Sequence, residues 1–147
     1  IVIGQNTFDH NPDYEPNQLC TGIRLVNSYN CTFNGSIIQD CQSGQHTVPG
    51  PKPITKNGLL EIINCQRINI NGCQILDGYP NGVYVDKSKD VIVSSCHILD
   101  TRKEPKTEYT IQWTGPGSGN FLTNNRLQTP AEIDLNSGVL QTNNAFG

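Results

Sequence analysis

This chain has no methionine, only two alanines (Ala131 and Ala145) and a single tryptophan, and charged residues make up only 16% of it. Good helix formers are therefore scarce, and no window keeps an apolar period of 3.6 residues, which argues against a helical fold. The net charge of −3 supplies no basic patch, so no nucleic-acid partner is expected. No apolar run approaches the length of a membrane span. Glycine and asparagine are plentiful instead, with 14 and 17 copies in 147 residues; both favour tight bends and left-handed backbone. The chain opens on Ile1 rather than methionine. We read residues 1–147 as a single domain, the C-terminal portion of a longer chain.

A repeat organises the chain. GLLEIINCQRININGCQILDG (Gly58–Gly78) is followed by GVYVDKSKDVIVSSCHILDT (Gly82–Thr101). A shift of 23 aligns Leu60 with Val83, Ile62 with Val85, Ile68 with Val91, Ile70 with Val93, Cys73 with Cys96, Ile75 with Ile98 and Asp77 with Asp100. Apolar residues at i and i+2 line one face of a short strand. Each unit carries three such strands, and consecutive units of equal design predict a solenoid. The template extends in both directions. Ile1–Ile3–Asn6–Phe8 enters in mid-coil, and Ile23–Leu25, Cys31–Phe33 and Ser36–Ile38 form the next coil. Ile111–Trp113, Asn120–Leu122 and Asn125–Leu127 follow the twin units, and Ile133, Leu135, Val139, Asn144 and Phe146 form a weaker last one. The expected fold is all-β: a right-handed parallel β-helix of about six coils with three short strands per coil.

One template position holds Asn6, Ser36, Cys73, Cys96, Asn125 and Asn144. We expect this ladder to sit at a bend, where asparagine takes a left-handed conformation and pairs its amide with the neighbouring coil. Cys31, Cys73 and Cys96 then read as packed thiols, although stacked Cys73 and Cys96 can be bridged if their geometry allows. Cys20 and Cys41, beside the longer loops, are the better candidates for an oxidised pair. The segments between units (11–21, 42–57, 79–81, 102–108 and 130–132) all follow the same template point. They must leave the solenoid along one edge, and such an edge is a common binding face.

The stretches DVIVSSCHILD, RININGCQILDG, IVIGQNTFDHN and GNFLTNNRLQ, with GVYV and GLLEI as return strands, resemble right-handed parallel β-helix repeats of the pectate-lyase-like superfamily. The resemblance covers the chain outside its loops. It implies the fold, and a superfamily of polysaccharide lyases, glycoside hydrolases, epimerases, tailspikes and non-catalytic surface proteins. Fold does not choose among these. The polygalacturonase-like signatures Asn-Thr-Asp, Asp-Asp, Gly-His-Gly and Arg-Ile-Lys are missing, and FDHN (Phe8–Asn11) falls at a different point of the coil from the pectate-lyase motif it matches in letters.

The repeat also aligns a column that packing does not require: His10, Asp40, Asp77 and Asp100. Two carboxylates about 5 Å apart repel by roughly 3 kcal/mol at an effective dielectric near 20. Three arrangements would offset that. Asp40, Asp77 and Asp100 can hold Ca²⁺; Asp77 and Asp100 can share a proton as an acid/base pair; or each can cap its own turn by accepting backbone N–H groups. Arg102 and Lys103 follow directly and would suit a uronate, one as a cation at its carboxylate and one as a base at its α-proton. Tyr79, Tyr84 and Tyr109 are the candidates for stacking on sugar rings, whereas Trp113 aligns with inward Val85 and His97 with outward Gln74 and Arg126.

The expected function is a secreted or surface-exposed β-helix protein, on a cell or virion, that binds or acts on a polysaccharide, with Ca²⁺ as the one cofactor the column invites. The alternative is a non-enzymatic structural or adhesive module that self-associates through its open solenoid ends.

Overall fold

The computed structural model describes residues 1–9, 22–39 and 56–147, without the side chains of Thr7, Phe8 and Asp9. His10, Asp40, Cys20, Cys41 and the inserts 11–21 and 42–55 lie outside the described residues. The chain opens with β1 (Val2–Gly4) and β2 (Thr7–Asp9). Three-strand coils follow: β3 (Ile23–Val26), β4 (Tyr29–Asn34) and β5 (Ile37–Gln39); β6 (Leu60–Ile63), β7 (Gln66–Asn71) and β8 (Gln74–Leu76); β9 (Asn81–Asp86), β10 (Lys89–Ser94) and β11 (His97–Leu99). The last two are β12 (Tyr109–Thr114), β13 (Asn120–Thr123) and β14 (Arg126–Leu127), then β15 (Glu132–Ile133), β16 (Val139–Thr142) and β17 (Ala145–Phe146). Every third strand joins the same sheet. Sheet A is β1-β4-β7-β10-β13-β16, sheet B is β2-β5-β8-β11-β14-β17 and sheet C is β3-β6-β9-β12-β15, and all their pairings are parallel. The protein is a parallel β-solenoid.

The 23-residue shift is the physical register. Ile68 pairs with Val91, Ile70 with Val93, Ile75 with Ile98, Leu60 with Val83 and Ile62 with Val85. These side chains, with Phe33, Ile38, Ile111, Leu122 and Trp113, form the buried interior. Burying each such side chain is worth about 1.5–3 kcal/mol. Asn120 occupies the inward position of Val91 on the next coil; it survives there because its Oδ1 accepts from Val91 N–H and its Nδ2 donates to the carbonyls of Ser88 and Ser137.

Left-handed residues stack at each bend, and they correct one expectation. At the bend from sheet A to sheet B the positive φ falls one residue before the ladder: Gln5 (53°), Gly35 (62°), Gly72 (61°), Ser95 (54°), Asn124 (56°) and Asn143 (53°). That residue turns the chain, and at three ladder positions the side chain that follows folds back onto the carbonyl two positions earlier. Asn6 Nδ2 donates to Gly4 O, Cys73 Sγ to Asn71 O and Cys96 Sγ to Ser94 O. The bend from sheet C to sheet A repeats the device with Ser28, Cys65 and Ser88, which donate to Val26, Ile63 and Asp86. Four cysteines (Cys31, Cys65, Cys73 and Cys96) are buried free thiols.

A second correction concerns the last coil. Leu135 matches the inward template position but is fully exposed. Asp134 starts a 3₁₀ turn over Leu135–Ser137, closed by Ser137 N–H and Oγ–H donating to Asp134 O, and this turn carries Leu135 off the strand path.

Candidate functional site

Among the described residues, the segments between units all run from sheet B to sheet C, so the predicted loop edge exists. On that edge Asp77 and Asp100 are both buried, with 5% and 7% of their surface exposed. Asp77 Oδ1 accepts from Thr101 N–H (2.5 Å) and Oγ1 (2.9 Å), and its Oδ2 from Gln39 Nε2 (2.9 Å). Asp100 Oδ1 accepts from Arg102 Nε (2.8 Å), and Oδ2 from Arg102 Nη2 (2.5 Å), Lys106 N–H (2.6 Å) and Thr107 N–H (2.8 Å). Asp100 gathers its own turn, whereas Asp77 ties coils together through Gln39 before it and Thr101 after it, and these N–H and O–H donors offset the Coulomb penalty of the column.

Burial pushes the Asp100 carboxyl up, but the Arg102 guanidinium and the N–H groups of Thr107, Lys106 and Arg102 outweigh it and hold the group well below the usual carboxylate range. Arg102 Nη2 and Thr107 Oγ1 also donate to Gly78 O, at 3.1 and 2.6 Å, and Glu108 N–H to Pro80 O at 2.7 Å. The Arg102–Glu108 segment is thereby laced to the Gly78–Pro80 turn of the previous coil. Lys103 is exposed on the outside of this lacing. Among the described residues no three His, Cys, Asp or Glu side chains are placed to share a metal ion. The hydrogen bonds named above occupy oxygens of Asp77 and Asp100, the two described members of the expected Ca²⁺ set; Asp40 is outside the described residues.

The tyrosines gather on two coils. Tyr79 is half-buried in the turn before β9, Tyr84 half-buried on the outward face of β9, and Tyr109 half-buried at the start of β12, in register with Asn81. Tyr84 Oη accepts from Thr114 Oγ1 (3.1 Å), which also lies 3.2 Å from Asp86 Oδ1. His97 is exposed between Gln74 and Arg126, and Trp113 is buried, each as the template places it.

Register brings together a row on the outer face of sheet C. Outward residues of sheet C align as Arg24, Glu61, Tyr84, Gln112 and Glu132. Glu61 is only 1% exposed. Its Oε1 accepts from Lys56 and Asn57 N–H, both at 2.6 Å, and its Oε2 lies 3.0 Å from Arg24 Nε, off the hydrogen-bond line. Asn81 Nδ2 donates to Gln112 Oε1 (3.0 Å) and to Asn57 O (2.6 Å), tying this row to the chain entering β6. The signal was legible: aligning Ile23–Arg24–Leu25 with Leu60–Glu61–Ile62 sets opposite charges on adjacent coils at an outward position. The row therefore offers Arg24, Tyr84, Gln112 and Glu132 to solvent, with Glu61 as the buried counter-charge that orients Arg24.

Compared with known proteins, the chain matches no family model, and neither curated proteins nor solved structures gave a match.

Proposed function

We propose that this β-solenoid binds a polysaccharide across the outer face of sheet C, beside its loop-bearing edge, in keeping with the resemblance of its repeats to the pectate-lyase-like superfamily and with a place outside the cell. The observation that carries the reading is the outward row Arg24–Tyr84–Gln112–Glu132. Tyr84, Gln112 and Glu132 follow one another at steps of about 4.8 Å, and Arg24 stands two steps before Tyr84, across buried Glu61. An extended glycan needs just such a surface: an aromatic plane for the apolar face of a ring, with amide, carboxylate and guanidinium groups around it for the hydroxyls. Tyr79 and Tyr109 extend the aromatic character toward the loops. Binding has more support than turnover, because the carboxylates of Asp77 and Asp100 are engaged in holding turns. Arg102, committed to Asp100 and Gly78, is likewise better suited to shaping the edge than to polarising a substrate.

The test is calorimetry against neutral and acidic polysaccharide fragments, with the Tyr84→Ala and Gln112→Ala variants. The reading predicts saturable binding that weakens about tenfold or more in Tyr84→Ala while the thermal melt stays cooperative. Unchanged affinity in both variants, or no binding by the parent protein at millimolar fragment, would overturn it.

A second reading draws on a different face. The outward row of sheet A aligns Ile92, Phe121 and Leu140 on consecutive coils, 38%, 38% and 61% exposed. Three adjacent exposed apolar side chains favour protein packing, as a structural or adhesive module would use, and Phe121→Ser would then change the sedimentation behaviour without touching glycan binding.

A further inference from the structure

Two of the buried thiols in the bend ladder stand against one another. Cys73 and Cys96 stand at the same ladder position on consecutive coils, 1% and 0% exposed. The backbone registers them directly: His97 N–H donates to Cys73 O at 2.9 Å, and Gln74 pairs with His97 in the next rung. Stacked residues of adjacent parallel strands are about 4.8 Å apart, within the Cα separation of roughly 4.4–6.8 Å that a disulfide spans. Their neighbours in the ladder, Ser36 and Asn125, carry no thiol, so the pair has no competing partner at this bend.

We propose that Cys73 and Cys96 are an oxidisable inter-coil staple, closed by peroxide to a disulfide that fastens the two central coils together. With hydrogen peroxide as the oxidant, the chemistry balances. The Cys73 thiolate attacks one peroxide oxygen, the O–O bond breaks, and the departing hydroxide takes a proton to leave as water, giving Cys73 sulfenic acid. The Cys96 sulfur then attacks the Cys73 sulfur, the S–O bond breaks, and the oxygen leaves as a second water with the Cys96 proton. Two thiols and one peroxide give one disulfide and two waters; each sulfur loses one electron and the peroxide gains two.

The two thiols differ in acidity, and this sets the order of attack: the neighbouring Cys96 thiol outweighs desolvation and draws Cys73 down to about 7, while the same neighbour and burial push Cys96 up. Cys73 is thus the sulfur that ionises and Cys96 the one that resolves.

The experiment treats the full chain with hydrogen peroxide, unfolds it in the presence of an alkylating agent, and maps the peptides by mass. The staple predicts loss of two hydrogens from a linked Cys73–Cys96 peptide and a melting temperature roughly 5–10 °C higher, reversed by dithiothreitol. Cys96→Ser puts a hydroxyl of similar size in place of the thiol, and in it Cys73 should be trapped as a sulfenic acid by dimedone. If Cys73 and Cys96 both remain alkylatable, even when peroxide is present during refolding from urea, the proposal fails. It fails equally if Cys73 is over-oxidised without forming the link.

Discussion

The bend ladder is held in two ways. Cys73 and Cys96 donate to the carbonyl two residues back, whereas Asn125 and Asn144 accept the N–H of the ladder residue on the preceding coil. Asn125 is the most connected: Oδ1 takes Cys96 N–H (2.9 Å), and Nδ2 reaches Val93 O (2.9 Å) and Asn144 Oδ1 (3.1 Å). Asn125→Ala would strand a buried N–H and a buried carbonyl. We expect a loss of about 2–4 kcal/mol in urea unfolding, whereas Cys73→Ser should cost under about 1 kcal/mol; equal costs would show that the ladder bonds are not what stabilises the bend. Asp100 makes a pH prediction. Its carboxyl is more acidic in the folded protein than in the unfolded chain, so its contribution is whole above the unfolded value, about 4, and declines as pH falls below that. The parent protein should lose melting temperature steadily between about pH 5 and pH 2. Asp100→Asn should start lower, by about 1–3 kcal/mol at pH 7, and show a shallower fall; parallel pH profiles would contradict this.

At the scale of the strand, the tight places are where backbone meets backbone. A Cβ on Gly82 would meet Thr110 O at 2.6 Å and Ile98 Cγ2 at 2.8 Å, while one on Gly4 finds nothing nearer than 3.4 Å. Gly82→Ala should therefore destabilise by about 1–3 kcal/mol and Gly4→Ala by much less, as read from denaturation midpoints. The strands themselves were legible in sequence. Period-two apolar spacing and a constant 23-residue shift leave one register that buries Ile68, Val91, Ile70 and Val93 together. The site was only half legible. Tyr84 and Asp100 could be placed by alignment, but Lys106 and Thr107, whose N–H groups join Arg102 in holding Asp100, lie in a loop with no repeat to align. Leu135 misled because an apolar letter at i+2 says nothing about the 3₁₀ turn that Asp134 and Ser137 impose. The left-handed residue was misplaced by one position for a related reason: both the turning residue and the ladder residue are often asparagine, as at Asn124–Asn125 and Asn143–Asn144.

The whole molecule is a stack in which each coil touches only its neighbours, so stability should be distributed along the axis. Amide exchange should be slowest in β7, β10 and β12, whose neighbours bury both sides, and faster in β1 and β16, where Val2 and Leu140 are 80% and 61% exposed. Uniform protection would argue for a single cooperative core instead. The solenoid presents two unlike faces: a mixed aromatic and polar row on sheet C and an apolar row on sheet A. The function proposed for the protein rests on the first of these. The most direct measurement is an amide-resolved NMR titration with the polysaccharide fragment that binds best in calorimetry. Saturable shifts concentrated at Arg24, Tyr84, Gln112 and Thr114 are the predicted result. Shifts confined to Ile92, Phe121 and Leu140, or spread evenly over all three sheets, would contradict it.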